Sequence, residues 1–510
     1  MFNFSKYKSR ENLLLLGICI IFLLVWVYLA SQTGTQWAQD SHWQMSLAKN
    51  LADGNGYTLE GVYPHSQYPP GLPVLILPFY LLLGNVQLAG LILMGILALL
   101  TIVLTYNVGK SFSKEVGLIA AFLLAAHNLF LFNSVSVMTE MPFMFFSLLG
   151  LFLFAKGFEN TKYFLLAFPT LAYCILIRYP GAFLILPMLY LLLRNFKRTK
   201  EIILSDKFLI GIFLGILVVS PWLIRNFMAF HNPFYTSYSN QFNVGFFKGL
   251  VSFSKLFFYL GPLFSTFSLM GILSLIKSKN NLAKMFLVWL FVYFIIHSIW
   301  WGGGIFRFYA SILPVISLFC SFGIVFFTER FTRKTKTKNK LIVIILLVIL
   351  VIQMVILFSG IINQETTIKT ISRYDSVRDA VSWADVNLPK GSIYVVPDVA
   401  VYSLYSNNKD LMYYSEGVNW LLQESLSKEN IFIFADNLHP WLTGPYMQGE
   451  SGKIIINSRT PQGRPIGITI LVNLINKEQS PKFGLGSEDY ENSTALIFGV
   501  KDITAQYLNN

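Results

Sequence analysis

Asp40 follows Gln36-Trp37-Ala38-Gln39 and opens the run Ser41-His42-Trp43-Gln44-Met45-Ser46-Leu47-Ala48-Lys49-Asn50-Leu51. Trp43, Leu47 and Leu51 recur every fourth position, which predicts an amphipathic helix stopped at Gly54-Asn55-Gly56. An aspartate at the head of such a helix has two readings. It caps the helix by accepting the first amide protons, or, kept ionised by those amides, it takes a proton from a nearby hydroxyl. Glu140, in Ser136-Val137-Met138-Thr139-Glu140-Met141-Pro142, has a similar pair of readings. Thr139 as N-cap, Pro142 in the first turn and an acid favoured by the helix dipole explain a helix start. Three arginines complete the chemistry: Arg178 in Arg178-Tyr179-Pro180-Gly181, Arg225 in Pro221-Trp222-Leu223-Ile224-Arg225-Asn226, and Arg307 in Gly302-Gly303-Gly304-Ile305-Phe306-Arg307-Phe308-Tyr309. Each alone reads as a side chain snorkelling to an interface. Together they suit an anionic ligand such as phosphate.

Other chemistries find no footing. His42, His65, His231 and His297 are scattered, with no H-E-x-x-H pair and no Cys/His spacing for zinc. There is no Walker A loop and no G-x-S-x-G elbow, and nothing favours a Ser/His/Asp set. Cys19, Cys174 and Cys320 all lie in apolar segments, so the C-terminal part uses no disulfide.

The elements that must position these residues are set by composition. The chain is 54% hydrophobic and only 13% charged, about half the charged content of a soluble protein. The imbalance is local: residues 1–361 hold 27 bases and 10 acids, whereas residues 362–510 hold 12 bases and 16 acids. The net charge of +13 therefore belongs to the apolar part, and nucleic acid is not implied. Crossing a bilayer takes roughly 20 apolar residues. Eleven windows qualify or nearly so: 12–31, 87–109, 115–132, 140–157, 162–178, 179–194, 208–227, 252–276, 284–301, 306–327 and 341–361. The first follows Lys6, Lys8 and Arg10 and is longer than a signal-peptide core, so it is read as a retained helix. The apolar stretch Gly71 to Leu83 is too short to span and is expected to lie in the interface or to re-enter the membrane.

Charge fixes the orientation. With eleven spans and a cytoplasmic amino end, 21 of the 27 bases face inward, as the positive-inside rule requires. Counting 71–83 as a span inverts that pattern. Outside remain the acids Asp40, Asp53, Glu60 and Glu140, and the bases Lys49, Arg178, Arg225, Lys248, Lys255 and Arg307. The fold class expected is thus a polytopic α-helical membrane protein with about 11 transmembrane helices. Residues 1–361 form the membrane domain, including the outer loop 32–86, and residues 362–510 a small extracytoplasmic α/β domain. In the latter, Val377, Ala380, Val381 and Ala384 mark a helix, and Gly391–Val396 and Ile431–Phe434 mark buried strands.

The order of these features resembles the membrane glycosyltransferases of the C superfamily. Asp40 after the first helix, Tyr68-Pro69-Pro70-Gly71, Thr139-Glu140, Arg178-Tyr179-Pro180-Gly181, Pro221 to Asn226, and Arg307-Phe308-Tyr309 followed by Pro314 carry the resemblance, over roughly residues 1–330. Within the superfamily the chain is similar to bacterial relatives of protein O-mannosyltransferases and of the lipid A aminoarabinose transferase. It departs at Ser41, where many members carry a second acid; that acid's role would pass to Asp53, Glu60 or nothing.

The resemblance implies transfer of one sugar from a polyprenyl-phosphate carrier to an acceptor glycan, glycolipid or protein, with inversion, at the outer face of the plasma membrane. Asp40 would be the general base and Glu140 would help position acceptor or base. Arg178, Arg225 and Arg307 would hold the leaving phosphate, and His42, Tyr68 and Glu60 would position acceptor or sugar. No metal or other cofactor is expected, since arginines can stabilise a departing lipid monophosphate. The other class of function considered, a flippase or transporter for a lipid-linked saccharide, predicts mid-membrane ionisable groups and internal repetition. The sequence has neither.

Overall fold

The structure, a computed structural model, describes residues 10–33, 39–59, 64–237, 260–276, 278–299, 306–332, 334–363, 377–396, 398–406, 411–413, 431–436, 442–448, 451–459, 465–474 and 495–507. These divide into two compact units. One comprises Met1–Thr35, Leu51–Asp53 and Pro64–Gly360; the other comprises Gln36–Asn50, Gly54–Tyr63 and Ile361–Asn510. Part of the first outer loop, including the stretch that carries Asp40, thus packs within the second unit.

The first unit is helical. Each of the eleven apolar windows carries helix, because a long apolar run has no other way to satisfy its backbone in hydrocarbon. Among the described residues, six helices are long and apolar enough to cross a membrane, or up to eight if each of two bent pairs is one span. Thr161–Ile177, Pro262–Ile276 and Asn281–His297 are shorter apolar helices. The chain is therefore a multi-pass membrane protein; among the described residues the expected count of eleven spans is not confirmed. The bends have local causes. Lys114–Ala125 and Asn128–Ser134 meet at 65° where His127 interrupts the helix and caps the second piece by accepting from the Leu129 N–H at 3.2 Å.

The helix Gly71–Leu83 has 13 residues, about 20 Å at 1.5 Å per residue, too short for a hydrocarbon core of about 30 Å. It ends at Gly84, whose φ of 66° suits a glycine C-cap. Its first residue touches the helix Phe164–Ile177 backbone to backbone: a Cβ on Gly71 would lie 2.5 Å from the Leu176 carbonyl oxygen. The Tyr173 hydroxyl also donates to the Gly71 carbonyl at 2.7 Å. A second close approach joins Pro262–Ile276 to Leu313–Phe331, where Gly271 faces the backbone of Phe319 and Gly323 that of Phe267. Small residues let membrane helices approach in this way.

The second unit contains a seven-stranded mixed sheet: β1 (Ile393–Val396), β2 (Leu411–Tyr413), β3 (Ile431–Asp436), β4 (Leu442–Gln448), β5 (Ser451–Arg459), β6 (Pro465–Leu474) and β7 (Ala495–Tyr507), in the order β2-β1-β3-β7-β6-β5-β4. β1 pairs in parallel with β2 and β3, and the remaining pairs are antiparallel. The strands β1 and β3 lie on the two apolar runs picked out in the sequence. The helix 377–387 buries Val377, Ala380, Val381 and Ala384 against Tyr394, Val396, Val401, Tyr402 and Phe434.

Candidate functional site

Asp40 stands in the first turn of the helix Gln39–Ala52 and is partly buried. The helix begins one residue before it, so Asp40 is not the N-cap that the sequence suggests. Three side chains hold this helix within the second unit. His42, fully buried, places Nε2 3.3 Å from the Tyr405 hydroxyl, and the two rings meet edge-on at 6.3 Å. The Trp43 indole N–H donates to Asp398 Oδ2 at 3.0 Å. At the other end, the Lys49 ammonium donates to the Ser403 carbonyl at 2.9 Å. His42, expected to position substrate, is buried against Tyr405.

Glu140 and Arg178 were given separate tasks by the sequence; the structure makes them one ion pair. Glu140 opens the helix Glu140–Gly157, and Arg178 caps the end of Phe164–Ile177. Arg178 Nη1 lies 2.9 Å from Glu140 Oε1, with side chains only 12% and 2% exposed. The guanidinium also sits 4.8 Å from the centre of the Phe308 ring, and Nη1 is 3.5 Å from the Ser311 hydroxyl. Burial of this kind is tolerated because each charge compensates the other. Thr139 precedes Glu140 as expected, but its backbone is helical and its side chain makes no capping hydrogen bond. The ion pair, rather than the cap, fixes Glu140.

Arg225 lies near the end of Asp206–Phe230. Its Nη1 donates to Asn226 Oδ1 at 2.9 Å, and its guanidinium lies 5.0 Å from the centre of the Trp222 ring and 5.3 Å from that of Phe230. An amide oxygen and two aromatic faces help to orient the guanidinium. Its charge is felt at His65. Burial, with the nearby Arg225 charge adding to it, pushes the His65 pKa down to about 3, so the ring is neutral. His65 Nε2 accepts from the Tyr68 backbone N–H at 3.0 Å, and the two rings stack at 5.4 Å. Tyr68 is itself buried and leads directly into Gly71–Leu83. The Tyr179 hydroxyl donates to the Ser66 carbonyl at 3.4 Å, tying Arg178-Tyr179-Pro180-Gly181 to the same loop. His65, Tyr68 and Arg225 thus form one cluster.

Arg307 falls in the 3-10 turn Phe306–Ile312, and its side chain lies outside the described residues, as does Glu60. Among the described residues no group of three or more His, Cys, Asp or Glu side chains is placed to hold a metal ion. Sequence reasoning missed His65, set aside as one of several scattered histidines, although its place three residues before Tyr68-Pro69-Pro70-Gly71 was a signal. It also missed Asp398 and Tyr405, for which no local signal exists.

The profile of the dolichyl-phosphate-mannose-protein mannosyltransferase family matches residues 67–224, the stretch from Gln67, beside Tyr68, to the residue before Arg225. No curated protein matches the chain. Among solved structures, ArnT from Cupriavidus metallidurans bound to undecaprenyl phosphate superposes with a TM-score of 0.62 at 12% identity, covering 86% of this chain and 97% of that one. Its apo form gives 0.60 at the same identity and coverage. The oligosaccharyltransferase of Archaeoglobus fulgidus, in complex with zinc and sulfate, gives 0.54 at 13% identity, covering 89% of this chain and 72% of that one. At such identities the likeness is one of fold. The fold is thus one shared with membrane glycosyltransferases, and the family match lies within it, over residues 67–224.

Proposed function

We propose that the chain transfers one sugar from a polyprenyl-phosphate donor to an acceptor hydroxyl at the outer face of the plasma membrane, with inversion. The observation that carries this reading is the match of residues 67–224 to a family named for a dolichyl-phosphate sugar donor. The fold it shares with a protein solved with undecaprenyl phosphate supports it. In this reading the amino end is cytoplasmic, and the second unit and the Asp40 helix are extracytoplasmic.

The step runs as follows. Asp40 removes the proton of the acceptor hydroxyl as its oxygen attacks the anomeric carbon. The bond from that carbon to the phosphate oxygen breaks, and its electron pair leaves with the phosphate. Arg225 and Arg307 take up the growing negative charge, a role that does not call for a metal. Arg178, paired with Glu140, joins them and also holds its hairpin against the helix start. Neutral His65 holds the Tyr68 backbone without adding a second cation near Arg225.

The test uses purified protein in liposomes carrying a polyprenyl-phosphate-linked sugar together with a cell-envelope acceptor fraction. The expected outcome is sugar covalently attached to acceptor, with one free polyprenyl phosphate released per transfer. Lipid scrambling between leaflets without covalent transfer would instead establish a flippase.

A further inference from the structure

The helix that carries Asp40 is held by residues about 355 positions further along the chain. We infer that Asp398 and Tyr405 are positioning residues for Asp40: through Trp43 and His42 they fix the helix on whose first turn the proposed base stands. This rests on the reading of Asp40 as that base. It gives residues 361–510 a part in catalysis that the sequence left open.

The mechanical chain is continuous within the second unit. Tyr402 is fully buried in the core cluster, its ring 5.5 Å from that of Phe434 on β3. The turn that follows is built on it: the Tyr405 and Ser406 backbone N–H groups both donate to the Tyr402 carbonyl at 3.0 Å. Asp398 is 1% exposed. Its Oδ1 accepts from the Val401 N–H at 3.3 Å, which fixes its rotamer, and its Oδ2 accepts from Trp43. His42 and Trp43 lie two and three residues after Asp40, within one helical turn of it, so a shift at either is passed to the carboxylate almost rigidly. Lys49, seven residues after His42, fixes the far end on the same face. Two points near the base and one near the end set both the axis and the rotation of the helix.

A general base acts only when it lies within hydrogen-bond reach of the proton, and small misplacements are costly to rate. Because the base meets the acceptor proton and not the donor lipid, loosening this anchorage should cost turnover rather than donor binding.

The experiment uses the full-length protein in detergent or liposomes with a polyprenyl-phosphate-linked sugar. Tyr405→Phe, which keeps the ring and loses one hydroxyl, and Trp43→Phe should each lower kcat about tenfold and leave the donor KM within about twofold. Backbone amides in the peptide Gln39–Ala52 should exchange with deuterium faster in both variants. In an Asp40→Asn background, Tyr405→Phe should leave the residual rate unchanged, which a merely destabilising change would not do. Faster exchange with wild-type kcat overturns the inference, as does unchanged exchange, or an equal loss of rate with and without Asp40. If Asp40→Asn alone turns over at the wild-type rate, the base reading fails and this inference with it. If Asp40→Asn is slow and Tyr405→Phe is not, only this inference falls.

Discussion

The ion pair of Glu140 and Arg178 is buried to 2% and 12% exposure, so neither charge can turn to bulk water when its partner is removed. Removing one partner of such a pair costs about 3–5 kcal/mol, while replacing both by apolar groups is often close to neutral. Glu140→Gln should therefore lower the thermal midpoint of the purified protein markedly, and Glu140→Gln with Arg178→Met should recover most of it. A double variant no more stable than the single one would show that Arg178 is held by something other than this acid. His65 makes a prediction in pH. Its unfolded imidazole takes a proton below about pH 6.5, whereas in the fold burial and the Arg225 charge delay this to about 3. Between those values the unfolded state binds more protons, so stability falls as pH falls through the window. His65→Gln, which does not titrate, should flatten that acid-side slope in thermal unfolding measured from pH 7 to pH 4. An unchanged slope would place the titration elsewhere.

At the scale of elements, the short helix Gly71–Leu83 depends on a contact that admits no side chain. A Cβ at Gly71 would meet the Leu176 carbonyl carbon at 2.6 Å and its oxygen at 2.5 Å, both backbone atoms that cannot step aside. Gly71→Ala should cost about 1–3 kcal/mol of stability by forcing the two helices apart. Tyr68, His65 and the Tyr173 hydroxyl bond to the Gly71 carbonyl all attach to this junction, so donor KM should rise as well. A variant with wild-type midpoint and KM would mean the junction yields without consequence. These elements were the most legible part of the chain. An apolar run of about 20 residues, or a Pro-Gly pair such as Pro180-Gly181 that breaks one, acts locally and can be read without knowing its neighbours. Where a helix merely approaches that length, as in Pro262–Ile276, the sequence signals a helix but not whether it spans.

Over the whole molecule, what was illegible is what joins distant segments. Nothing near Glu140 announces Arg178, because an ion pair between two helices is set by how they pack, and both residues have adequate local explanations as helix-end groups. Trp43 and Asp398 are separated by 355 positions and carry no pattern linking them, so the sequence assigned the Asp40 helix to the membrane domain while its packing joins it to the C-terminal unit. The neighbourhood of Arg225 and His65 was not legible either, since a histidine made neutral by burial looks in sequence like any other. The account as a whole stands on one carboxylate performing proton transfer. The direct measurement is single-turnover release of polyprenyl phosphate by wild-type and Asp40→Asn protein in matched proteoliposomes, with equal folding verified by thermal midpoint. Loss of a general base predicts a rate lower by about 10²–10⁴-fold with donor binding retained. Equal rates would contradict the account, leaving Asp40 with a structural role alone.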